Sequence, residues 1–150
     1  MKMGHLTREP IHIHDFIRAA PESNFRSGAG VFFLGMIRDH SQERKVLYLE
    51  YEAHEEMAER ILHDLAASAL TRWPLEEIRL LHRLGRIGLG EIAVAIFVQS
   101  VHRDEAYQAS RCLIEEIKHQ APIWKKEYFS DGTSEWSLCS EDHVDLSRSL

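Results

Sequence analysis

Cysteine is nearly absent from this 150-residue chain: there are two, Cys112 and Cys139. Their spacing matches no C-x-x-C metal or redox motif and no disulfide scaffold, which suits a reducing cytoplasm. Basic charge is also scarce. Lys and Arg total 18 against 24 acidic residues, for a net charge of −6. A general nucleic-acid binder needs a cationic face over much of its surface, so no nucleic-acid partner is expected. Long apolar runs are missing too. None approaches the roughly 20 residues that span a bilayer, and residues 1–6 lack the shape of a signal peptide. The expectation is a soluble cytoplasmic protein with no membrane partner.

What the chain does have is 44% hydrophobic residues, enough for one real core and too few positions for two comfortable domains. A single domain over residues 1–150 is expected, with the polar stretch 139–150 as a flexible tail. Residues 10–16 (PIHIHDF) alternate as an opening strand does, leading into a short helix near 15–20, and 21–27 reads as a loop. Residues 28–38 (GAGVFFLGMIR) read as a buried strand, 39–45 as a polar loop and 46–53 (VLYLEYEA) as another strand. From His54 the period becomes helical through Met57, Ile61, Leu65, Ala69 and Leu70, and stops before Pro74. A strand is predicted around 78–81, a glycine-rich turn passage at Gly85, Gly88 and Gly90, and a strand over 91–100. A helix follows over 103–120, with Ala106, Ala109, Leu113 and Ile117 on one face and Ser100 and Asp104 competing to cap it. Residues 123–129 form a strand, and Asp131–Gly132 turns into a last one at 134–138. Grouped strands broken by two long helices indicate an α+β fold with mostly antiparallel strands.

Several constellations have bland explanations. The passage LGRIGLGE (84–91) leads into a strand, whereas a dinucleotide loop opens a helix, so it is a hairpin turn or bulge. His12-x-His14 would put two rings on one strand face, but zinc needs three or four ligands and no H-x-x-H, C-x-x-C or H-E-x-x-H completes a set. No metal and no cofactor is expected. Cys112 sits mid-helix as a small hydrophobe, and no serine lies in a G-x-S-x-G elbow. Glu50 and Glu52 share one strand face, which reads as solvent.

The basic residues are harder to dismiss. Residues 100–129 gather Arg103, Arg111, Lys118, Lys125, Lys126, His102 and His119 within an otherwise acidic protein. Lys118 lies near a helix end, where the macrodipole favours a cation. Lys125 and Lys126 alternate along one strand, so one of them must face inward or into a cleft. A lysine desolvated there, or set beside other cations, is a usable base or nucleophile. Arg38, at a strand end, and His102–Arg103, at a strand-to-helix junction, suit phosphate contact. An anionic small-molecule substrate is the leading idea.

The segments FLGMIRDH (33–40), LEYEAHEEMA (49–58), HRLGRIGLGE (82–91), SVHRDEAYQA (100–109) and IKHQAPIWKKE (117–127) closely resemble the large, catalytic subunit of molybdopterin synthase, the MoaE family. The likeness runs from about Gly28 to Trp136 in the same order. Its most specific element is the H-R pair followed by K-x-x-x-P-x-W-K-[KR]-E. The resemblance implies an α/β hammerhead fold and a sulfurtransferase that converts cyclic pyranopterin monophosphate into molybdopterin by installing two dithiolene sulfurs. It implies a small ubiquitin-like partner bringing sulfur as a thiocarboxylate on its C-terminal Gly-Gly. It also implies a homodimer of large subunits within a heterotetramer. Carried over by position, Lys118 and Lys125 match the functional lysines, and Arg38, His102 and Arg103 match the anion pocket, with Lys125 and Lys126 also counted toward substrate. Some members carry a further basic residue after the position of Trp136, where this chain reads SLCSED.

Two other readings compete. A non-catalytic module could dock an acidic or Gly-Gly peptide tail, although two lysines and an arginine exceed what one carboxylate requires. A pterin or nucleotide hydrolase would need a metal or an acidic base at the cleft. Further expectations are a groove for the partner's tail along residues 28–35 and an active site shared between subunits. The latter follows because Arg103 and Lys118 stand about 22 Å apart on one straight helix.

Overall fold

In the computed structural model, which describes residues 4–18 and 25–138, the elements run β1 (Leu6–Thr7), α1 (Ile13–Arg18), β2 (Ala29–Met36), β3 (His40–Ser41), β4 (Arg44–Ala53), α2 (Glu55–Arg72), β5 (Leu75–Arg83), β6 (Gly85–Gly88), β7 (Ile92–Ser100), α3 (Arg103–Gln120), β8 (Ile123–Phe129) and β9 (Ser134–Leu138). One sheet has the order β1-β5-β7-β2 and the other β3-β4-β8-β9, with β6 also paired to β4. Every pairing among the described residues is antiparallel except that of β1 with β5. The architecture is the expected α+β, with two 18-residue helices.

The apolar strand β7 is central because both of its faces are covered. Val94, Ile96 and Val98 pack with Leu80 against Leu62 and Leu65 of α2 and Ala109, Leu113 and Ile117 of α3. Ala95 and Phe97 point the other way, onto Ile11 and Phe16. A second core holds Ile37, Val46, Leu49, Ile87, Ala93 and Phe129 between the sheets.

Several expectations shift. Residues 10–16 are not a strand. Pro10 to His12 are irregular, α1 begins at Ile13, and the N-terminal strand is the two-residue β1. Ile11 and Phe16 are buried while Ile13 is exposed, so the apparent alternation does not correspond to a sheet face. His12 and His14 therefore do not share a strand. The buried face of α2 is Ala58, Leu62, Leu65 and Ala69, with Met57 and Leu70 on its exposed flank. The polar segment 39–45 contains β3 and a tight hairpin, with Gln42 and Glu43 both at positive φ. The glycine passage contains β6, bounded by Gly85 at φ 89° and Gly90 at φ 76°, conformations that glycine adopts at little cost. Neither Ser100 nor Asp104 caps α3. Ser100 Oγ donates to the His102 carbonyl, Asp104 accepts from Gln108, and the N-cap is His102 without a side-chain bond. Cys139 and the tail lie outside the described residues.

Candidate functional site

The two sheets and the end of α3 enclose a cleft of about 330 Å³. Its floor comes from one row across the first sheet. Gly35 of β2 opposes Val94 of β7, and Val94 opposes His82 of β5. Directly opposed residues share a sheet face, so all three meet the same space. Gly35 is required there: a Cβ would stand 2.6 Å from Val94 Cγ1. The roof is β4 and β8, where Tyr51 opposes Lys125 and Leu49 opposes Glu127. The wall is the last turns of α3, through Ile114, Ile117 and Lys118, and the rim carries Arg38, His40 and Ser41.

Arg38, Lys118 and Lys125 thus line one cleft although they come from three separate segments. Alternation along β8 buries Ile123, Lys125 and Phe129, with Lys125 only 6% exposed. Lys118 sits in the last turn of α3, where Ala121 and Pro122 end the helix. Arg38 follows the β2 irregularity at Gly35/Met36 and is exposed. The same alternation sends Lys126 to the outer face, 5.1 Å from the Tyr128 ring and 5.4 Å from the Trp136 ring. His102 and Arg103 are exposed at the opposite end of α3. None of these three lines the cleft within one chain.

Sequence reasoning missed two cleft residues. Glu127, two positions beyond Lys125, places a carboxylate in the cleft where no acidic group was expected. His82 is 5% exposed, and burial pushes its ring down to about 4. Its ring meets Tyr51 edge-on at 5.1 Å. For Glu127 the available signal is its place two positions beyond Lys125 in an alternating strand, and for His82 it is the pairing of β5 with β7. At the rim, the His40 ring bonds Asp39 at 2.8 Å and holds that carboxyl below the ordinary range. The Cys112 thiol is raised, first by burial and then by Glu116, which works against a nucleophilic role. Among the described residues, no three His, Cys, Asp or Glu side chains gather into a metal site, and no helix is long and apolar enough to cross a membrane.

Outside the cleft, β2 is the last strand of its sheet. A second groove of about 750 Å³ runs between it and α3, past Phe32, Tyr107 and Arg111, and shares Phe33, Ile114 and Lys118 with the cleft.

An α+β scaffold with a cation-lined cleft between two largely antiparallel sheets, beside an open strand edge, defines the architectural class of the chain. Comparison with known proteins narrows that class. The family described as MoaE protein matches residues 6–120, and the chain belongs to that family. It is 38% identical to a molybdopterin synthase catalytic subunit from a Nostoc species, covering 87% of this chain and 79% of that one. A Staphylococcus aureus protein of the same description is 39% identical, with 91% and 90% covered. The crystal structure of molybdopterin synthase from S. aureus superposes with a TM-score of 0.82 at 38% identity, over 91% of this chain and 98% of that one. The fold also recurs, at 19% identity and a TM-score of 0.72, in a complex of subunits 1 and 2 of the molybdopterin-converting factor from Helicobacter pylori, with 88% of each chain covered.

Proposed function

We propose that the chain is the catalytic subunit of a molybdopterin synthase, a sulfurtransferase that moves sulfur from a partner's C-terminal thiocarboxylate onto cyclic pyranopterin monophosphate. The observation that carries this reading is the convergence of Arg38, Lys118 and Lys125 on one cleft. The cations match a phosphate-bearing substrate, and the raised Cys112 thiol is poorly suited to supply the sulfur itself. Each transfer breaks the partner's C–S bond and forms a C–S bond on the substrate in place of a C–O bond, whose oxygen leaves as water or stays with the opened phosphate. Water supplies the oxygen that leaves the partner as a carboxylate, so one dithiolene consumes two thiocarboxylates.

In this reading Lys118 attacks or positions the thiocarboxylate carbonyl, and Lys125 binds substrate and stabilises charge that develops on transfer. Arg38 holds the phosphate at the rim. The small ubiquitin-like partner threads its Gly-Gly tail toward Lys118, and the groove beside the β2 edge is a route along which an extended chain can add as a strand. His102 and Arg103 reach a cleft only across a two-fold axis, from a second copy in a heterotetramer. Lys126 would contribute through the field around the site.

The competing reading, a docking module for an acidic or Gly-Gly tail, draws on the same groove. It gives no role to a buried Lys125 and a rim arginine together. Single-turnover sulfur transfer separates the two. Lys125→Ala should slow the transfer by about 10²–10³-fold and Lys118→Ala by at least as much, with far-UV circular dichroism unchanged in both. Normal transfer by Lys118→Ala would remove the assignment.

A further inference from the structure

On the cleft floor, His82 carries a polar atom that the chain's own hydrogen bonds leave unused. His82 Nδ1 lies 2.9 Å from the Arg83 carbonyl oxygen. A carbonyl only accepts, so Nδ1 carries the ring proton and Nε2 keeps its lone pair. Burial holds the ring neutral at physiological pH. Among the described residues no hydrogen bond to Nε2 is present. The ring lines the cleft and is braced edge-on by Tyr51, itself in register with Lys125. Nε2 is not among the fully buried side-chain atoms left without a partner, so it keeps an opening through which water or a ligand can satisfy it. The alternative, a histidine kept only for packing, explains the Tyr51 contact but not an unpaired acceptor on a residue that lines the cleft.

We propose that His82 Nε2 accepts a hydrogen bond from a ring or exocyclic N–H of the bound pterin, making His82 a specificity-determining residue of the cleft. This rests on the pterin substrate of the reading above and adds what orients the heterocycle. Arg38, Lys118 and Lys125 are all donors and attract the anionic end. An uncharged acceptor on the floor takes a donor edge without offsetting those cations. The substrate is then held by two chemically opposite ends, and a phosphate-bearing ligand with no N–H edge would be disfavoured.

Equilibrium binding tests this, without turnover and without the partner. The probes are an oxidised, fluorescent pterin bearing a phosphate ester and its counterpart methylated at N3 and dimethylated at the exocyclic amine, which has no N–H left on that edge. The wild-type protein should prefer the unmethylated pterin by about tenfold, the scale of one buried hydrogen bond left unmade. His82→Leu should lose that preference, and His82→Gln, which can offer an amide oxygen, should recover part of it. Equal binding of the two pterins by the wild-type protein overturns the proposal whether or not either variant folds. A preference of the same size in folded His82→Leu overturns it as well, by assigning the discrimination to shape. Failure of the wild-type protein to bind either pterin would instead take away the pterin reading, and this inference with it.

Discussion

At the scale of single residues, the cleft depends on what strand register does to side chains. Gly35 is the clearest case, since a methyl group there meets Val94 Cγ1 at 2.6 Å. Gly35→Ala should cost about 1–3 kcal/mol by overpacking, visible as a lower denaturant midpoint, and should reduce turnover because it intrudes on the cleft floor. His82 gives a pH signature. Its folded value of about 4 lies below the ordinary 6.5. Between those values the unfolded chain takes up a proton that the folded chain refuses, so this contribution to stability is intact above about 6.5, declines toward about 4 and then levels off. A shift of that size corresponds to roughly 3 kcal/mol. His82→Gln lacks it, so the stability gap between wild type and variant should narrow between pH 7 and pH 4.5 in urea titrations. Parallel pH dependence would show that His82 is not held neutral.

At the scale of elements, α3 shows a residue placed against the interest of its own helix. His102 occupies the N-cap without making a side-chain bond, whereas Ser or Asp there would accept from the first turn. His102→Ser should stabilise the fold by about 0.5–1 kcal/mol, raising the melting temperature, while lowering turnover if His102 serves a site in a second subunit. A gain in stability with no loss of activity would leave His102 without a functional role. The long elements were legible in the sequence because their periods persist. The faces of α3 and β8 follow directly from spacing, although spacing alone says only that one of Lys125 and Lys126 turns inward, and the structure shows it to be Lys125. The short elements were not legible. β1, β3 and β6 have two to four residues each, too few to show a period, and their strand character comes from pairing partners far along the chain. On α2 the predicted face holds at Leu65 and Ala69, with Ile61 packed beside them, and fails at Met57 and Leu70, which are apolar yet lie on the exposed flank. His82 was missed in the site for a related reason, because its orientation is a property of the β5–β7–β2 row, whereas the face of Glu127 follows from alternation with Lys125.

At the scale of the whole molecule, the cations fall into two groups at opposite ends of α3. Arg103 and Lys118 are separated by about 22 Å along the helix, further than one phosphorylated pterin readily spans. If two chains complete each other's sites, mixing Arg103→Ala with Lys118→Ala protein should restore part of the activity, because one site per mixed dimer regains both groups. A mixture that stays as inactive as its parents, with subunit exchange verified by mass spectrometry, would exclude the shared site. The account as a whole rests on sulfur delivered by a partner protein to a pterin in this cleft. The most direct measurement supplies the chain with cyclic pyranopterin monophosphate and one of three sulfur sources, then assays for the dithiolene product. The sources are a small ubiquitin-like partner ending in a Gly-Gly thiocarboxylate, the same partner ending in a plain carboxylate, and free sulfide at physiological concentration. The account predicts dithiolene with the thiocarboxylated partner alone; equal product from free sulfide, or none from any source, would contradict it.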